Sequence, residues 1–137
     1  MSITGNITKN FSLEEMACKD GTLIITPETV EHAWRLQKFR EWYNRPMIIN
    51  SWYRSPAHNA KVGGEKNSQH ILGIACDIAL HAEFKGYPLQ RQNEYLSNIK
   101  AKWQELCAKD GLGGGVGYYK TFIHLDSRRV PAFWDNR

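Results

Sequence analysis

The chain has 137 residues, of which 42% are hydrophobic and 23% charged, a balance that fits one globular domain and argues against intrinsic disorder. Its formal net charge of +4 comes without a run of Lys and Arg, which disfavours a nucleic-acid binder but suits attraction to an anionic polymer. Three widely spaced cysteines, Cys18, Cys76 and Cys107, predict buried reduced thiols and exclude a Cys-x-x-Cys metal site.

Five elements are predicted in the first 80 residues, each bounded by a residue type that begins or ends it. They are a short helix capped by Ser12 with Glu15, a long helix from Thr26-Pro27 to about Asn44, a strand at 47–49, a helical turn from Ser55 to Gly63, and a strand at 74–80. The long helix should begin its apolar face with Val30, Ala33, Trp34 and Leu36, and expose His32.

The second half predicts a helix at 89–109 ended by Gly111, then strands at 115–119 and 121–126. The glycines at 113–117 lack the Lys-Ser/Thr of a phosphate loop, so they indicate a turn leading into a strand. We therefore predict an α+β fold, a single domain over residues 1–137 in which helices pack on a small antiparallel sheet.

A candidate metal ligand lies in the strand at 74–80. Asp77 is flanked by apolar residues, and a buried carboxylate needs a cation or hydrogen-bond donors. Strand alternation places Asp77 on the face of Ala75 and Ala79, whose small side chains leave room for an ion, while Cys76 points into the core. His70 precedes this strand by a short turn through Gly73.

The strand at 121–126 offers a second group of polar side chains. Alternation places Phe122, His124 and Asp126 on one face and the neighbouring apolar residues on the other. Two imidazoles and one carboxylate suit a three-ligand zinc site with an open fourth position for water. The alternative is that His70 lies on the surface and backbone amides satisfy Asp77.

These motifs resemble a known family. Ser-x-His-x-x-Gly-x-Ala-x-Asp at 68–77, followed by His-x-Asp at 124–126, is similar to the zinc D-Ala-D-Ala carboxypeptidase family, which includes murein endopeptidases and phage endolysins. The likeness is closest to its small single-domain group, includes residues 11–16, 51–64 and 115–126, and covers roughly residues 9–134. It implies a hedgehog/DD-peptidase-like zinc fold.

The resemblance also implies roles for individual residues. His70, Asp77 and His124 would bind one zinc ion per chain. Arg54 would bind a substrate carboxylate or carbonyl through its planar fork of donors, or else form a surface ion pair. Ser68 would hydrogen-bond the substrate, or else only shape the turn.

One position departs from the family. Many of its enzymes carry an Asp or Glu three residues before the last His ligand as general base, and this chain has Thr121 there. Asp126 is the substitute base that we predict, because it shares a strand face with His124. The alternative role for Asp126 is a carboxylate that orients a ligand His or Arg54.

The resemblance implies a zinc metallopeptidase, of carboxypeptidase or murein endopeptidase type, acting as a monomer on peptidoglycan peptides. The alternative, favoured by Thr121, is a catalytically inactive zinc-containing module that binds the wall or belongs to a virion. The N-terminus lacks the features of a secretory signal, and no apolar stretch could span a membrane. We therefore expect cytoplasmic synthesis with action at the wall, as for a phage endolysin or another released protein, unless a leader has been removed.

Overall fold

The structure is a computed structural model that describes residues 3–137. The described part of the chain forms helices and strands with the following bounds. They are α1 (Leu13–Met16), α2 (Pro27–Tyr43), β1 (Ile49–Ser51), α3 (Pro56–Lys61), β2 (Ala75–Ala79), a 3-10 helix (Ala82–Gly86), α4 (Leu89–Lys109), β3 (Gly115–Tyr118), β4 (Phe122–Asp126) and β5 (Ala132–Asp135).

Side-chain caps fix the helix ends near the predicted residues. The Ser12 hydroxyl accepts a hydrogen bond from the Glu15 amide at 3.0 Å, and the Glu15 carboxylate accepts one from the Ser12 amide at 2.8 Å. Thr26 caps α2, which ends at Asn44 in the left-handed conformation with φ of 56°. The bounds of α4 are those predicted from its apolar spacing.

The sheet has the strand order β1-β2-β4-β3-β5. The first four strands in that order pair antiparallel, and β5 lies parallel to β3. The α+β class is therefore confirmed, but the purely antiparallel sheet is wrong because β5 was not predicted. Its four residues follow Pro131 directly and are too few to show a clear strand pattern.

The helices α2 and α4 cover one face of the sheet. Their buried residues join Cys76, Ile123 and Leu125 in one hydrophobic core. The three cysteines are buried and unpaired, as predicted. Because side chains alternate along a strand, the residues between these core positions point to the opposite face. That face carries Asp77 and His124.

The prediction for the buried face of α2 was partly wrong. His32 is fully buried, whereas Trp34 is 54% exposed. The face that meets the sheet is Thr29, His32, Ala33 and Leu36, at the spacing i, i+3, i+4 and i+7. His32 packs edge-on against Trp52 and Trp103, and its Nδ1 lies 2.6 Å from the Ser127 hydroxyl.

The burial of His32 predicts a loss of stability in acid. Burial, followed by the charge of Arg35, lowers the pKa of His32 to about 3, whereas an unfolded His titrates near 6.5. The unfolded state therefore gains a proton first, and stability falls as the pH drops below about 6.5. Between pH 7.5 and 5, we expect His32 to contribute about 2 kcal/mol to this loss.

Urea unfolding at both pH values, without metal, measures this contribution. His32→Gln should start less stable but should lose about 2 kcal/mol less than the wild type on acidification. Equal losses in the two proteins would contradict the assignment.

Within residues 3–137, no helix is both long and apolar enough to cross a bilayer.

Candidate metal centre

Three predicted ligand residues meet at one point on the open face of the sheet. Asp77 on β2 and His124 on β4 are direct cross-strand partners, and His70 lies in the turn before β2. One potential ligand atom from each of the three lies within 4.8 Å of the others, and all three residues are buried. The structure thus brings together the three residues predicted as ligands.

The turn from Ser68 to Gly73 brings His70 to the strand. The Ser68 hydroxyl accepts a hydrogen bond from the His70 amide at 3.1 Å, and the Gly73 amide donates to the His70 carbonyl at 3.0 Å. Gly73 has φ of +73°, and a Cβ there would lie 2.6 Å from Thr29 Cγ2. These contacts correspond to the turn-forming role that was one of two predicted for Ser68.

The ring of His70 is oriented by the backbone. Its Nδ1 donates a hydrogen bond to the Trp52 carbonyl at 2.7 Å. A neutral imidazole has one N–H, so Nε2 retains a lone pair. That lone pair faces Asp77 Oδ1 at 3.3 Å. Two electron-rich atoms at this distance repel each other unless a cation lies between them.

His124 has the same relation to Asp77. Its Nε2 lies 2.8 Å from Asp126 Oδ2 and its Nδ1 lies 2.9 Å from Asp77 Oδ1. When Nε2–H donates to Asp126, Nδ1 is left with a lone pair directed at Asp77. Either a second proton or a metal ion must therefore occupy the space between Nδ1 and Asp77. Two nitrogens and a carboxylate oxygen are the donor set that zinc prefers.

The pKa values of Asp77 and His124 are shifted in the directions that favour positive charge between them. Burial alone would raise the pKa of Asp77, but its contacts with the imidazoles of His124 and His70 outweigh burial and hold the pKa well below its usual range. Burial alone would lower the pKa of His124, but Asp126 and Asp77 outweigh it and raise the pKa. The site therefore stabilises positive charge at His124 Nδ1, where a metal would lie.

Asp126 lies behind His124 and is fully buried. In addition to its contact with His124, its carboxylate accepts hydrogen bonds from Arg128 Nε at 2.9 Å and Arg128 Nη2 at 2.6 Å. The pKa of Asp126, which burial alone would raise, is held well below its usual range by His124 and Arg128. These contacts correspond to the second predicted role, in which Asp126 orients a ligand His.

Arg54 reaches the metal centre from the loop before α3. Its Nη2 donates to Asp77 Oδ2 at 3.3 Å, its Nη1 to Asn59 Oδ1 at 3.2 Å, and its Nε to Ser51 Oγ at 3.2 Å. The side chain is only 18% exposed, so its contact with Asp77 is not a surface ion pair. Thr121, at the usual position of the acid, is exposed.

The comparison with protein families decides what kind of protein carries this site. A model of the peptidase M15 family matches residues 9–126. The chain belongs to the peptidase M15 family. The family confirms the resemblance inferred from the sequence motifs and implies a peptide substrate.

One relative of this M15 peptidase is the zinc D-Ala-D-Ala carboxypeptidase of Streptomyces albus G. The two are 39% identical over 46 residues, which cover 33% of this chain but only 18% of that enzyme. Together the family and this relative support a zinc peptidase.

Two side chains next to the metal centre, Arg128 and Trp134, were not predicted from the sequence. Trp134 packs against the His124 ring at 5.1 Å between ring centroids. Arg128 had a signal, because it continues the alternation of His124 and Asp126. Trp134 had none, since its strand was not predicted.

Proposed function

We propose that this chain is a zinc-dependent peptidase that hydrolyses a peptide bond in the stem or cross-link peptides of bacterial peptidoglycan. The observation that carries the proposal is the pair of imidazole nitrogens directed at Asp77 Oδ1, at 2.9 and 3.3 Å, in a member of the peptidase M15 family. The substrate in the name of the Streptomyces albus G relative supports a wall peptide.

His70, Asp77 and His124 would hold the zinc ion through Nε2, a carboxylate oxygen and Nδ1. Zinc would supply Lewis acidity, which polarises a carbonyl and makes water acidic enough to attack it near neutral pH. The Trp52 carbonyl fixes the tautomer of His70, and Asp126 fixes that of His124. The chain thereby aims both imidazoles at one point.

Arg54 would bind a carboxylate or carbonyl oxygen of the peptide next to the metal. Its three hydrogen bonds, to Asp77, Asn59 and Ser51, leave two of the five guanidinium N–H donors for a ligand. The same bonds hold the guanidinium in one orientation before the substrate arrives. Preorganised donors of this kind favour the bound geometry over other geometries.

We expect Arg54→Lys to lower kcat/KM for a stem peptide by about 10–100-fold, the scale of a lost charge-assisted hydrogen bond. Lysine keeps the charge but cannot span Asp77, Asn59 and a ligand at once. Arg129→Lys, on an exposed residue, is the matched control and should behave as the wild type. Unchanged kinetics in a zinc-loaded Arg54→Lys protein would contradict the role.

Mass analysis of peptidoglycan digests tests the function itself. The zinc-loaded chain is incubated with purified sacculi, and the masses of the soluble products are measured. Loss of a terminal alanine indicates a carboxypeptidase. Conversion of dimers to monomers indicates a cross-link endopeptidase, and the release of free stem peptides indicates cleavage after L-Ala. Asp77→Ala is the control that should release nothing.

An inactive module is the second candidate, favoured by Thr121 at the usual acid position and by the burial of Asp126. It predicts a zinc-loaded chain that sediments with sacculi but releases no fragment.

For the active enzyme we propose the setting of a phage endolysin or virion component, working as a monomer. Added externally, it should then lower the turbidity of permeabilised bacterial cells.

A further inference from the structure

The segment that follows the family match contacts the metal centre. The match ends at Asp126, the last residue of β4. Beyond it, Arg128 contacts Asp126 and Trp134 contacts His124. Arg128 therefore reaches the site through the Asp126 carboxylate, and Trp134 reaches it through the His124 ring.

Arg128 holds Asp126 by a two-pronged ion pair. Nε lies 2.9 Å from Oδ1 and Nη2 lies 2.6 Å from Oδ2, and the Arg128 amide donates a further hydrogen bond of 3.1 Å to Oδ1. Gly115 on β3 makes room for the pair, because a Cβ there would lie 2.3 Å from Asp126 Oδ2 and 2.6 Å from Arg128 Nε. The absence of a side chain at Gly115 therefore leaves the space that the Asp126–Arg128 ion pair occupies.

Trp134 lies across the strands from His124. Gly117 on β3 pairs with His124 on one side and with Trp134 on the other. A Cβ at Gly117 would lie 2.4 Å from the indole, so the indole lies directly over the glycine. Its Nε1 donates to the Tyr119 hydroxyl at 2.8 Å, and the Arg128 guanidinium lies 5.3 Å from its ring centroid.

We propose that Arg128 and Trp134 are positioning residues that lock the His124 ring, so that Nδ1 is presented to the metal. Arg128 fixes the carboxylate that receives Nε2–H, and Trp134 packs on the ring and limits its rotation. The inference rests on the zinc site of the proposed function but not on cleavage of any particular bond.

Zinc affinity, measured by competition with a chromophoric chelator, tests the proposal. Trp134→Ala and Arg128→Gln should each bind zinc about 10–100-fold more weakly than the wild type, the usual effect of losing a partner that orients a ligand His. Trp134→Phe keeps a ring over Gly117 and should fall between. The neighbours supply matched controls, Phe133→Ala and Arg129→Gln, because both residues are exposed and should keep wild-type affinity.

Nitrogen-15 spectra of the imidazoles separate positioning from a general loss of stability. In the zinc-free protein, at a pH where His124 carries one proton, the wild type should keep that proton on Nε2, whereas in Trp134→Ala the proton should exchange between the two nitrogens. Normal zinc affinity in folded Trp134→Phe and Arg128→Gln would overturn the proposal, whatever the chain does to peptidoglycan. Weakened affinity with an exchanging His124 would support it even in a chain that releases no peptide.

Discussion

Replacing Asp77 with alanine is expected to abolish both zinc binding and peptide release. Asp77 supplies the carboxylate of the three-residue group, with Oδ1 2.9 Å from His124 Nδ1 and 3.3 Å from His70 Nε2. Without it, two neutral imidazoles remain beside the Arg54 cation, which repels a metal ion. The loss of zinc affinity should exceed the roughly 10–100-fold caused by losing an orienting partner.

Two further variants sharpen this test. Asp77→Asn keeps the shape but removes the charge, and it should bind zinc more weakly than the wild type and more tightly than Asp77→Ala. Asp135→Ala removes an exposed carboxylate on β5 and should change nothing. Elemental analysis after gel filtration gives the zinc content per chain. One zinc per chain in folded Asp77→Ala would refute the ligand assignment.

Asp126→Asn should cause the second largest loss, and it separates the two roles predicted for that residue. A general base would leave zinc affinity intact and lower the rate on the order of 10²-fold. A carboxylate that orients His124 would instead lower zinc affinity about 10–100-fold. We expect the second result, because Asp126 is fully buried and its oxygens are taken by His124 and Arg128.

Kinetics at saturating zinc complete this comparison. If Asp126 positions His124, excess zinc should restore most of the rate of Asp126→Asn. If Asp126 is the base, the rate stays low however much zinc is added. Asp20→Asn, on an exposed carboxylate far along the chain from β4, serves as the control.

Local signals in the sequence accounted for much of the fold. Caps such as Ser12 and Thr26 are fixed by residues three positions away, so they can be read without knowing the tertiary structure. The facing of Asp77 and His124 followed from strand alternation alone, because a two-residue period leaves only two choices of face. The register that makes them partners needed the structure.

The errors arose where packing decides between neighbouring residues. Ala33 and Trp34 are both apolar and adjacent in a helix, so only one can point at the sheet, and the fully buried residue is Ala33. His32 follows Ala33 inward because it lies on the same helical face as Leu36. The ring orientation of His70 depends on the Trp52 carbonyl, a backbone group that no side-chain pattern identifies.

The two halves of the metal centre are far apart in the order of synthesis. His70 and Asp77 both precede α4, and Asp77 and His124 are separated by 47 positions in the chain. At about 5–20 residues per second, a ribosome makes the third ligand roughly 2–10 seconds after the second. Until β4 pairs with β2, the growing chain offers a metal only two side-chain donors from this site. Zinc should therefore enter as one of the last events in the folding of this site, after β4 has paired with β2.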